Sequence, residues 1–207
     1  KIVIIKGSGV DLNNFNYHKP KLDHQVNFLM ASRLLYDKGV LEFIKASSKL
    51  IEGDTNAKFT LVGNFDYQNP SCIKKEVIEN WQKKNNTYFY NFQKDIKKFL
   101  INSHVVVLPS YREGFPKILI EASAIGRAII TTNVPGCREC VVNNKNGFLV
   151  KVMNFEDLLK SMNKFINNQS LINKMGLESR KIAEKDYSIN EVVKKHINIY
   201  NNLLKND

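Results

Sequence analysis

The chain has 207 residues, enough for one α/β domain with a buried core. With 43% hydrophobic and 25% charged residues it has the composition of an ordinary globular protein, and no apolar run approaches the ~20 residues of a membrane-spanning helix. The formal net charge is +11, but the lysines are not interleaved with aromatic residues as single-strand binding would require. The composition therefore does not indicate nucleic-acid binding, whereas contact with an anionic membrane surface stays open.

Three cysteines and four histidines show no metal-binding pattern. Cys137 and Cys140 have the spacing of half a zinc knuckle, but a structural zinc site takes four ligands and the sequence holds no second pair. With Cys72 they make an odd number of cysteines without a disulfide framework, which is typical of a reducing compartment. We predict free thiols and no bound metal.

In chain order, apolar and β-branched runs predict strands at 26–32, 58–62, 87–90, 105–108, 127–131 and 147–150. Helical spacing of apolar residues predicts helices at 39–50, 71–84 (capped by Ser71), 95–101 and 116–125, and a helical region from 155 with breaks near 168–170 and 187–188. This alternation predicts an α/β fold, a Rossmann-like parallel sheet with helices on both faces. Ligands of such sheets bind beyond the carboxyl ends of the strands, which here are Ser32, Val62, Tyr90, Leu108 and Thr131.

Residues 110–126 are the most informative segment, because they join a predicted strand to a helix and carry two carboxylates. Pro116 suits the first helical turn, where its missing N–H costs nothing. A helix start favours phosphate through its unpaired N–H groups and its dipole. Glu113 precedes this start and Glu121 lies more than a turn beyond it. Since carboxylates accept from hydroxyls and repel phosphate, the segment predicts a ligand with both phosphates and sugar rings.

Arg33 and Lys38 lie in the loop after the first predicted strand. Arginine offers a planar fork and lysine a point charge, a common combination around a diphosphate. Together with the Glu113 segment they favour a diphosphate ligand. Gly63, at the end of the second strand, permits close approach of the backbone to a ligand or simply opens a turn.

Other residues have alternative interpretations. Asp95 caps its helix or contacts a ligand, with capping favoured, whereas Glu139 caps or accepts from a hydroxyl with neither favoured. His104 has no nearby acid or nucleophile and is predicted to be structural. Residues 7–11 are predicted to be a flexible hinge, and the start at Lys1 indicates that a preceding segment has been removed. The sequence contains no Ser-His-Asp or Cys-His arrangement, no Walker motif and no Gly-x-Gly-x-x-Gly fingerprint.

Nearly the whole chain resembles the C-terminal, donor-binding half of the retaining glycosyltransferases of family 4, which have the two-domain GT-B architecture. The paired glutamates of Glu113-x7-Glu121 are similar to the defining motif of that family, and Arg33-Leu-x3-Lys38-Gly39 is similar to its diphosphate clamp. The remaining matches are Gly9-Val10-Asp11, Pro135-Gly-Cys-Arg-Glu139 and Gly147-Phe-Leu-Val150.

The resemblance implies a role for each matching residue. Arg33 and Lys38 would neutralise the diphosphate leaving group of a UDP-sugar, and Glu113 would hold the sugar and face its oxocarbenium-like transition state; these three are the implied catalytic residues. Glu121 would accept from both ribose hydroxyls, and the nucleobase would lie near residues 90–92. No metal or other cofactor is expected, because the cations stabilise the leaving group. The implied donor-binding residues are Gly9, Arg33, Lys38, Gly63, Tyr90, Asn91, Glu113, Gly114, Phe115, Pro116, Lys117, Ile118 and Glu121, with backbone N–H groups of 115–118 binding the sugar and the distal phosphate.

Residues 109–116 and 135–139, with 63–72, resemble one branch in particular. Its bacterial enzymes transfer N-acetylgalactosamine or related sugars from UDP to undecaprenyl-diphosphate-linked saccharides. This implies transfer of a hexose or N-acetylhexosamine to a lipid-linked saccharide in surface polysaccharide, lipopolysaccharide or glycan biosynthesis, by a cytoplasmic protein peripheral to the inner membrane.

The implied organisation is a linker over 1–20, a nucleotide-sugar-binding domain over 21–152 and C-terminal helices of the same domain over 153–207. The N-terminal domain with the acceptor pocket would lie outside the chain, so the fragment is expected to bind its donor but not to transfer it at a useful rate. Two alternatives remain, a sugar-nucleotide epimerase of similar architecture and a non-catalytic module that keeps the fold.

Overall fold

Six short apolar runs form one parallel sheet in the computed structural model, which describes residue 5 and residues 7–22 and 25–204. The strand order is β3-β2-β1-β4-β5-β6, and every neighbouring pair is parallel. The predicted Rossmann-like α/β fold is confirmed. The strands are β1 (Val26–Ala31), β2 (Ala57–Val62), β3 (Thr87–Tyr90), β4 (Val105–Leu108), β5 (Ala128–Thr132) and β6 (Gly147–Val150).

Helices connect the strands and follow the last of them. They are α1 (Val40–Glu52), α2 (Lys75–Gln82), α3 (Lys97–Ile101), α4 (Lys117–Ile125), α5 (Phe155–Asn167), α6 (Ser170–Ile182) and α7 (Ile189–Leu204). Short 3-10 turns occupy Tyr36–Lys38 and Arg138–Cys140, and a π turn occupies Ala183–Tyr187. The breaks predicted near 168–170 and 187–188 are therefore confirmed.

Successive side chains of a strand point to opposite sides of the sheet. Both faces are buried, because each contributes to an apolar core. In β1, Phe28 and Met30 belong to one apolar core, and Leu29 belongs to the other. Phe28 stacks on Phe59 of β2 with 5.5 Å between ring centroids. In β4 every side chain is buried, as expected for a central strand covered on both faces.

Helix α2 begins four residues later than predicted, and Ser71 does not cap it. Residues before the helix pair instead with the loop after β1. The backbone N–H of Ile73 donates to the Leu34 carbonyl at 2.8 Å, and the N–H of Tyr36 donates to the Ser71 carbonyl at 2.8 Å. This tertiary pairing competes with the helical hydrogen bonds that the sequence pattern favours.

The start of α4 also differs slightly from the prediction. Pro116 has an extended backbone (φ −70°, ψ 118°) and precedes the first helical residue, Lys117. It is the N-cap residue rather than part of the first turn. A proline there still costs no hydrogen bond, so the reason for its placement is unchanged.

Residues 7–11, predicted as a flexible hinge, are held to the rest of the domain at Val10. Val10 is buried, its N–H donates to the Tyr187 carbonyl at 2.8 Å, and its carbonyl accepts from the N–H of Ile189 at 3.0 Å. The segment thus pairs with the start of α7. Lys1 and the rest of residues 1–4 lie outside the described residues.

Candidate functional site

The strand order reverses direction between β1 and β4, which lie side by side at the centre of the sheet. In doubly wound sheets the loops leaving two such strands diverge and leave a crevice, where ligands bind. The loop after β1 carries Arg33 and Lys38, and the loop after β4 carries Glu113. The three residues with implied catalytic roles therefore flank this crevice.

The loop after β1 turns sharply at Gly39, which ends the 3-10 turn and begins α1. Gly39 has φ +74°, and a Cβ atom added to it would collide with the carbonyl of Pro109, just beyond β4. A side chain is therefore excluded both by conformation and by space. This close backbone approach brings Lys38 against the loop that carries Glu113.

Lys38 and Glu113 form an ion pair in which Nζ lies 2.7 Å from Oε1. The two side chains are only 15% and 16% exposed, so solvent screens the pair weakly. The Cys137 thiol lies close enough for both charges to act on it, although burial is the main reason why the pKa of Cys137 is raised above its ordinary value. A thiol with a raised pKa stays neutral at pH 7, so Cys137 adds no further charge beside Lys38 and Glu113.

A turn at 135–139 supports the Glu113 loop from behind. Gly136 has φ +84°, and a Cβ atom there would collide with the carbonyls of Glu113 and Gly114. Glu139 accepts a hydrogen bond from the Gly136 N–H at 2.6 Å. The contact favours the local capping role of Glu139 over the alternative of accepting from a ligand hydroxyl.

A cleft of about 580 Å³ opens at the carboxyl ends of β1 and β2, and neither Lys38 nor Glu113 is among the residues that line it. Across it, Arg33 Nη1 lies 3.1 Å from Asp66 Oδ2, with side chains 60% and 32% exposed. Four residues named from the sequence line the cleft: Arg33, Gly63, Lys117 and Glu121.

Glu121 projects from α4 toward this cleft and is nearly buried, with an 8% exposed side chain. Burial raises the pKa of its carboxyl group, and Lys117, whose Nζ lies 3.5 Å away, opposes the shift. Among the described residues no side chain caps α4, so its first N–H groups are left for a ligand. A helix start and a buried acceptor thus meet in one cleft.

The far wall of the cleft comes from the loops after β2 and β3. The backbone N–H of Phe92 donates to Asn64 Oδ1 at 2.8 Å, and the N–H of Leu34 donates to the Asn64 carbonyl at 3.0 Å. Asn64 therefore ties the loops after β1, β2 and β3 together. Phe92, which lines the cleft, is 66% exposed and offers a flat apolar surface.

Some of the residues named from the sequence lie elsewhere. The side chain of Tyr90 packs edge-on against Phe99, with 5.0 Å between ring centroids, and lines a separate groove of about 650 Å³. Gly9 contacts Ile189 at the start of α7, and Phe115 packs against Tyr187. The donor-binding roles of these residues, and of Asn91, Gly114, Pro116 and Ile118, stay predictions.

Sequence reasoning missed the partners of the named cations and carboxylates. Asp66 pairs with Arg33, and Asn64 holds Phe92. The sequence indicated only that both residues follow the end of a predicted strand. The hydrogen bond from the Tyr111 hydroxyl to Glu42 Oε1, at 2.7 Å, had no signal at all because 69 positions separate the two residues. Asn64 and Asp66 lie just after β2, at the ligand edge of the sheet, and this position was the one sequence signal for a role near the site.

Asp95 and His104 have local structural roles. Asp95 Oδ1 accepts from the N–H of Lys97, the first residue of α3, at 3.2 Å, in agreement with the favoured capping interpretation. His104 Nδ1 accepts from the N–H of Asn27, and Nε2 lies 2.7 Å from the Lys21 carbonyl. The cysteines are thiols rather than disulfides.

Within the described part of the chain, no cluster of three or more His, Cys, Asp or Glu residues has the arrangement of a metal site. In the same residues, no helix combines the length and the apolar character needed to cross a membrane.

A parallel sheet with a cleft at its reversal point defines a Rossmann-like ligand-binding domain. Residues 15–182 match the family model described as "Glycosyl transferases group 1", and the chain belongs to this family. The resemblance read from the sequence motifs is therefore confirmed at the level of the family.

Two curated relatives come from bacterial glycan biosynthesis. The N,N'-diacetylbacillosaminyl-diphospho-undecaprenol alpha-1,3-N-acetylgalactosaminyltransferase of Campylobacter jejuni is 30% identical in an alignment that covers 100% of this chain and 56% of that protein. The capsular polysaccharide biosynthesis glycosyltransferase CapM of Staphylococcus aureus is 29% identical in an alignment that covers 96% of this chain and 54% of that protein. The chain thus spans about half the length of these relatives.

Solved structures confirm the fold class. A glycosyltransferase from Rickettsia africae superposes with a TM-score of 0.83 and 25% identity, over 99% of this chain and 58% of that one. Anabaena HepE, solved in complex with UDP and glucose, superposes with a TM-score of 0.81 and 19% identity, over 93% of this chain and 55% of that one. The Rossmann-like sheet is the one found in GT-B glycosyltransferases, with the C-terminal helices present.

Proposed function

We propose that the chain is the donor-binding domain of a retaining, metal-independent glycosyltransferase that uses a UDP-sugar. The observation that carries the proposal is the cleft at the reversal point of the sheet, where Arg33, Glu121 and the start of α4 come together beside the Lys38–Glu113 pair. A diphosphate needs cations and N–H donors, and a ribose needs a strong acceptor. The cleft and the adjoining pair offer both kinds of group.

The cations act on the leaving group. When the bond between the sugar and UDP breaks, negative charge develops on the diphosphate, and Lys38 and Arg33 lie where they can neutralise it. Lys38 is already held at a fixed position by Glu113. Once the donor is bound and Lys38 has turned from Glu113 to the diphosphate, its charge is in place when the bond breaks, which supports a catalytic role rather than mere attraction of the donor.

Glu113 acts on the sugar side. Its carboxylate is largely buried and paired with Lys38, and the donor's diphosphate would draw Lys38 away from it. The freed carboxylate would then accept from a sugar hydroxyl and face the positive charge of the oxocarbenium-like transition state. Retention of configuration and the absence of a metal requirement belong to this proposal.

Glu121 acts on the ribose. A carboxylate that is nearly buried and close to a helix start is a strong acceptor for two vicinal hydroxyls. Phe92 and the loop that Asn64 holds would then lie beside the nucleobase. These positions order the donor from base to sugar along the cleft, toward the Lys38–Glu113 pair.

The Campylobacter relative's name gives a lipid-linked saccharide as acceptor and N-acetylgalactosamine as the transferred sugar. We extend the proposal to a hexose or N-acetylhexosamine donor and a lipid-linked acceptor in bacterial surface glycan biosynthesis. The acceptor would be bound by an N-terminal domain outside this chain, and the whole protein would work at the cytoplasmic face of the inner membrane. The formal charge of +11 suits an anionic surface.

Calorimetric titration of the chain with UDP, GDP and ADP tests the proposal. We expect UDP to bind in preference to the other two, and Glu121→Ala to weaken UDP binding by about 1.5–3 kcal/mol, since charge-assisted hydrogen bonds are lost. Glu79→Ala is a matched control, because it also removes a carboxylate from an i,i+4 pair with lysine, on α2. It is expected to leave UDP binding unchanged.

Unchanged UDP affinity in Glu121→Ala would remove the ribose assignment. If the chain binds none of the three nucleotides, titration of the full-length protein decides between a site that needs its other half and a wrong function. The alternative of an epimerase requires product to form from the full-length protein without any acceptor. The alternative of a non-catalytic module gains support only if the full-length protein also fails to bind nucleotide.

A further inference from the structure

The two segments that carry Lys38 and Glu113 are joined by more than their own ion pair. The backbone N–H of Tyr111 donates to the Asp37 carbonyl at 2.8 Å, and Ser110 Oγ donates to the same carbonyl at 3.1 Å. The Tyr111 hydroxyl donates to Glu42 Oε1 at 2.7 Å. Tyr111 lies two residues before Glu113, and Glu42 lies four residues after Lys38.

Burial makes the Tyr111–Glu42 contact unusual. Glu42 is 9% exposed on the core side of α1, and its Oε2 atom has no hydrogen-bond partner among the described residues. A buried carboxylate with one oxygen unpaired is costly, and an apolar residue of the same size would often be more stable there. The helix dipole favours a carboxylate in the first turn of α1 but does not require burial or a tyrosine partner, and the Tyr111 hydroxyl supplies the hydrogen bond to the buried Oε1.

From this geometry we infer that Tyr111 and Glu42 are positioning residues, which set the separation of Lys38 and Glu113 before the donor arrives. This inference rests on the proposed function and adds a contact outside the ligand cleft. Glu42 belongs to the first turn of α1, a helix anchored in the core by Val40 and Phe43. The Tyr111 hydroxyl thus ties the loop after β4 to helix α1. Tyr111 and Glu42 do not line the ligand cleft, so their effect on a ligand runs through the loops that carry Lys38 and Glu113.

The two loops touch closely. Gly39 lies directly against the Pro109 carbonyl, and each loop carries one residue of the ion pair. A shift of the Glu113 loop by one ångström would lengthen the Lys38–Glu113 contact and misplace both charges relative to a diphosphate. Such misplacement would weaken the binding of a ligand with phosphates and leave the binding of a ligand without phosphates unchanged.

Titration of the chain with UDP and with uridine tests the inference. Tyr111→Phe is expected to weaken UDP binding about 3- to 10-fold, the loss of one charge-assisted hydrogen bond, and to change uridine binding less than about 2-fold. Glu42→Gln keeps an acceptor for the hydroxyl and is expected to stay near wild type, whereas Glu42→Ala behaves like Tyr111→Phe. The double variant Tyr111→Phe/Glu42→Ala is expected to lose no more than either single variant, because both remove one contact.

Ser47→Ala is the matched control. It removes another buried side-chain hydrogen bond of α1, the one that Ser47 Oγ accepts from Trp81 Nε1 at 2.9 Å, far from the loop after β4. It should lower the melting temperature to a similar extent while leaving the ratio of UDP to uridine affinity unchanged. Hydrogen exchange of the backbone amides of 111–114 should accelerate in Tyr111→Phe and not in Ser47→Ala.

The inference is overturned if Tyr111→Phe changes UDP and uridine binding equally, or if its effects match those of Ser47→Ala. Should the wild-type chain bind neither ligand, the same titrations are made on the full-length protein, and hydrogen exchange of the chain decides whether the tyrosine fixes the loop. Should Tyr111→Phe not fold, the comparison of Glu42→Gln with Glu42→Ala gives the same answer.

Discussion

Two cation–carboxylate pairs at the carboxyl edge of the sheet differ in their depth. The deep pair, Lys38 and Glu113, has a 2.7 Å contact and side chains 15% and 16% exposed, whereas the outer pair, Arg33 and Asp66, has a 3.1 Å contact and side chains 60% and 32% exposed. Exposed pairs typically contribute about 0–1 kcal/mol, because water screens them and their side chains lose freedom. A weakly screened pair holds its partners more firmly. The deep pair is therefore in place before the donor binds, whereas the side chains of the outer pair can change position when the donor binds.

The largest effect is expected from breaking the deep pair. Lys38→Ala removes a preorganised cation and leaves the Glu113 carboxylate to repel the diphosphate, so UDP affinity should fall about 100-fold, or about 2.7 kcal/mol. Lys75→Ala removes an exposed lysine paired with Glu79 on α2 and is the control for the loss of one positive charge. Isothermal titration at fixed salt measures both. A loss in Lys38→Ala no greater than in the control would contradict the role of the deep pair.

A smaller effect is expected at the outer pair. Arg33→Ala should weaken UDP about 10-fold, since its guanidinium is exposed and partly screened, and should leave uridine within about 2-fold. The loss should shrink at high salt, because the contact is accessible to counterions. Titration of both ligands at low and high ionic strength is the measurement. Equal losses for UDP and uridine would rule out a contact between Arg33 and the diphosphate.

The smallest effect should have the opposite sign. Asp66 holds Arg33 in the empty site and competes with the phosphates for it, so Asp66→Asn should tighten UDP binding about 2- to 5-fold. Glu52→Gln makes the same charge change at an exposed site paired with Lys49 and Lys84, far from the cleft, and should have no effect. Weaker UDP binding in Asp66→Asn would mean instead that Asp66 holds Arg33 in its binding position.

The sequence predicted the sheet and the ligand edge because both depend on local patterns. The continuous run of β4 and the alternation of strands with helices suffice for a parallel sheet, and the position of loops at strand ends follows from topology. The start of α2 could not be predicted, because Ile73 bonds to Leu34, and no local pattern records such a partner.

The candidate site was predictable in part. Arg33, Lys38, Glu113 and Glu121 carry a spacing typical of a known family; in the structure Arg33 and Glu121 line one cleft, whereas Lys38 and Glu113 pair with each other. Their partners are long-range contacts: Glu113 reaches Lys38 across 75 positions, and Phe92 reaches Asn64 across 28. Such contacts depend on how the loops pack, which spacing in one sequence does not specify.

A crystal structure of the chain with UDP tests the central claim most directly, since it shows which cations meet the diphosphate. We expect the diphosphate to lie between Arg33 and the start of α4, with the ribose hydroxyls bound to Glu121. We also expect the Lys38–Glu113 contact to be longer than the present 2.7 Å, because Lys38 turns to a phosphate oxygen. A diphosphate outside this cleft, for instance in the groove beside Tyr90, with the deep pair still closed, would contradict it.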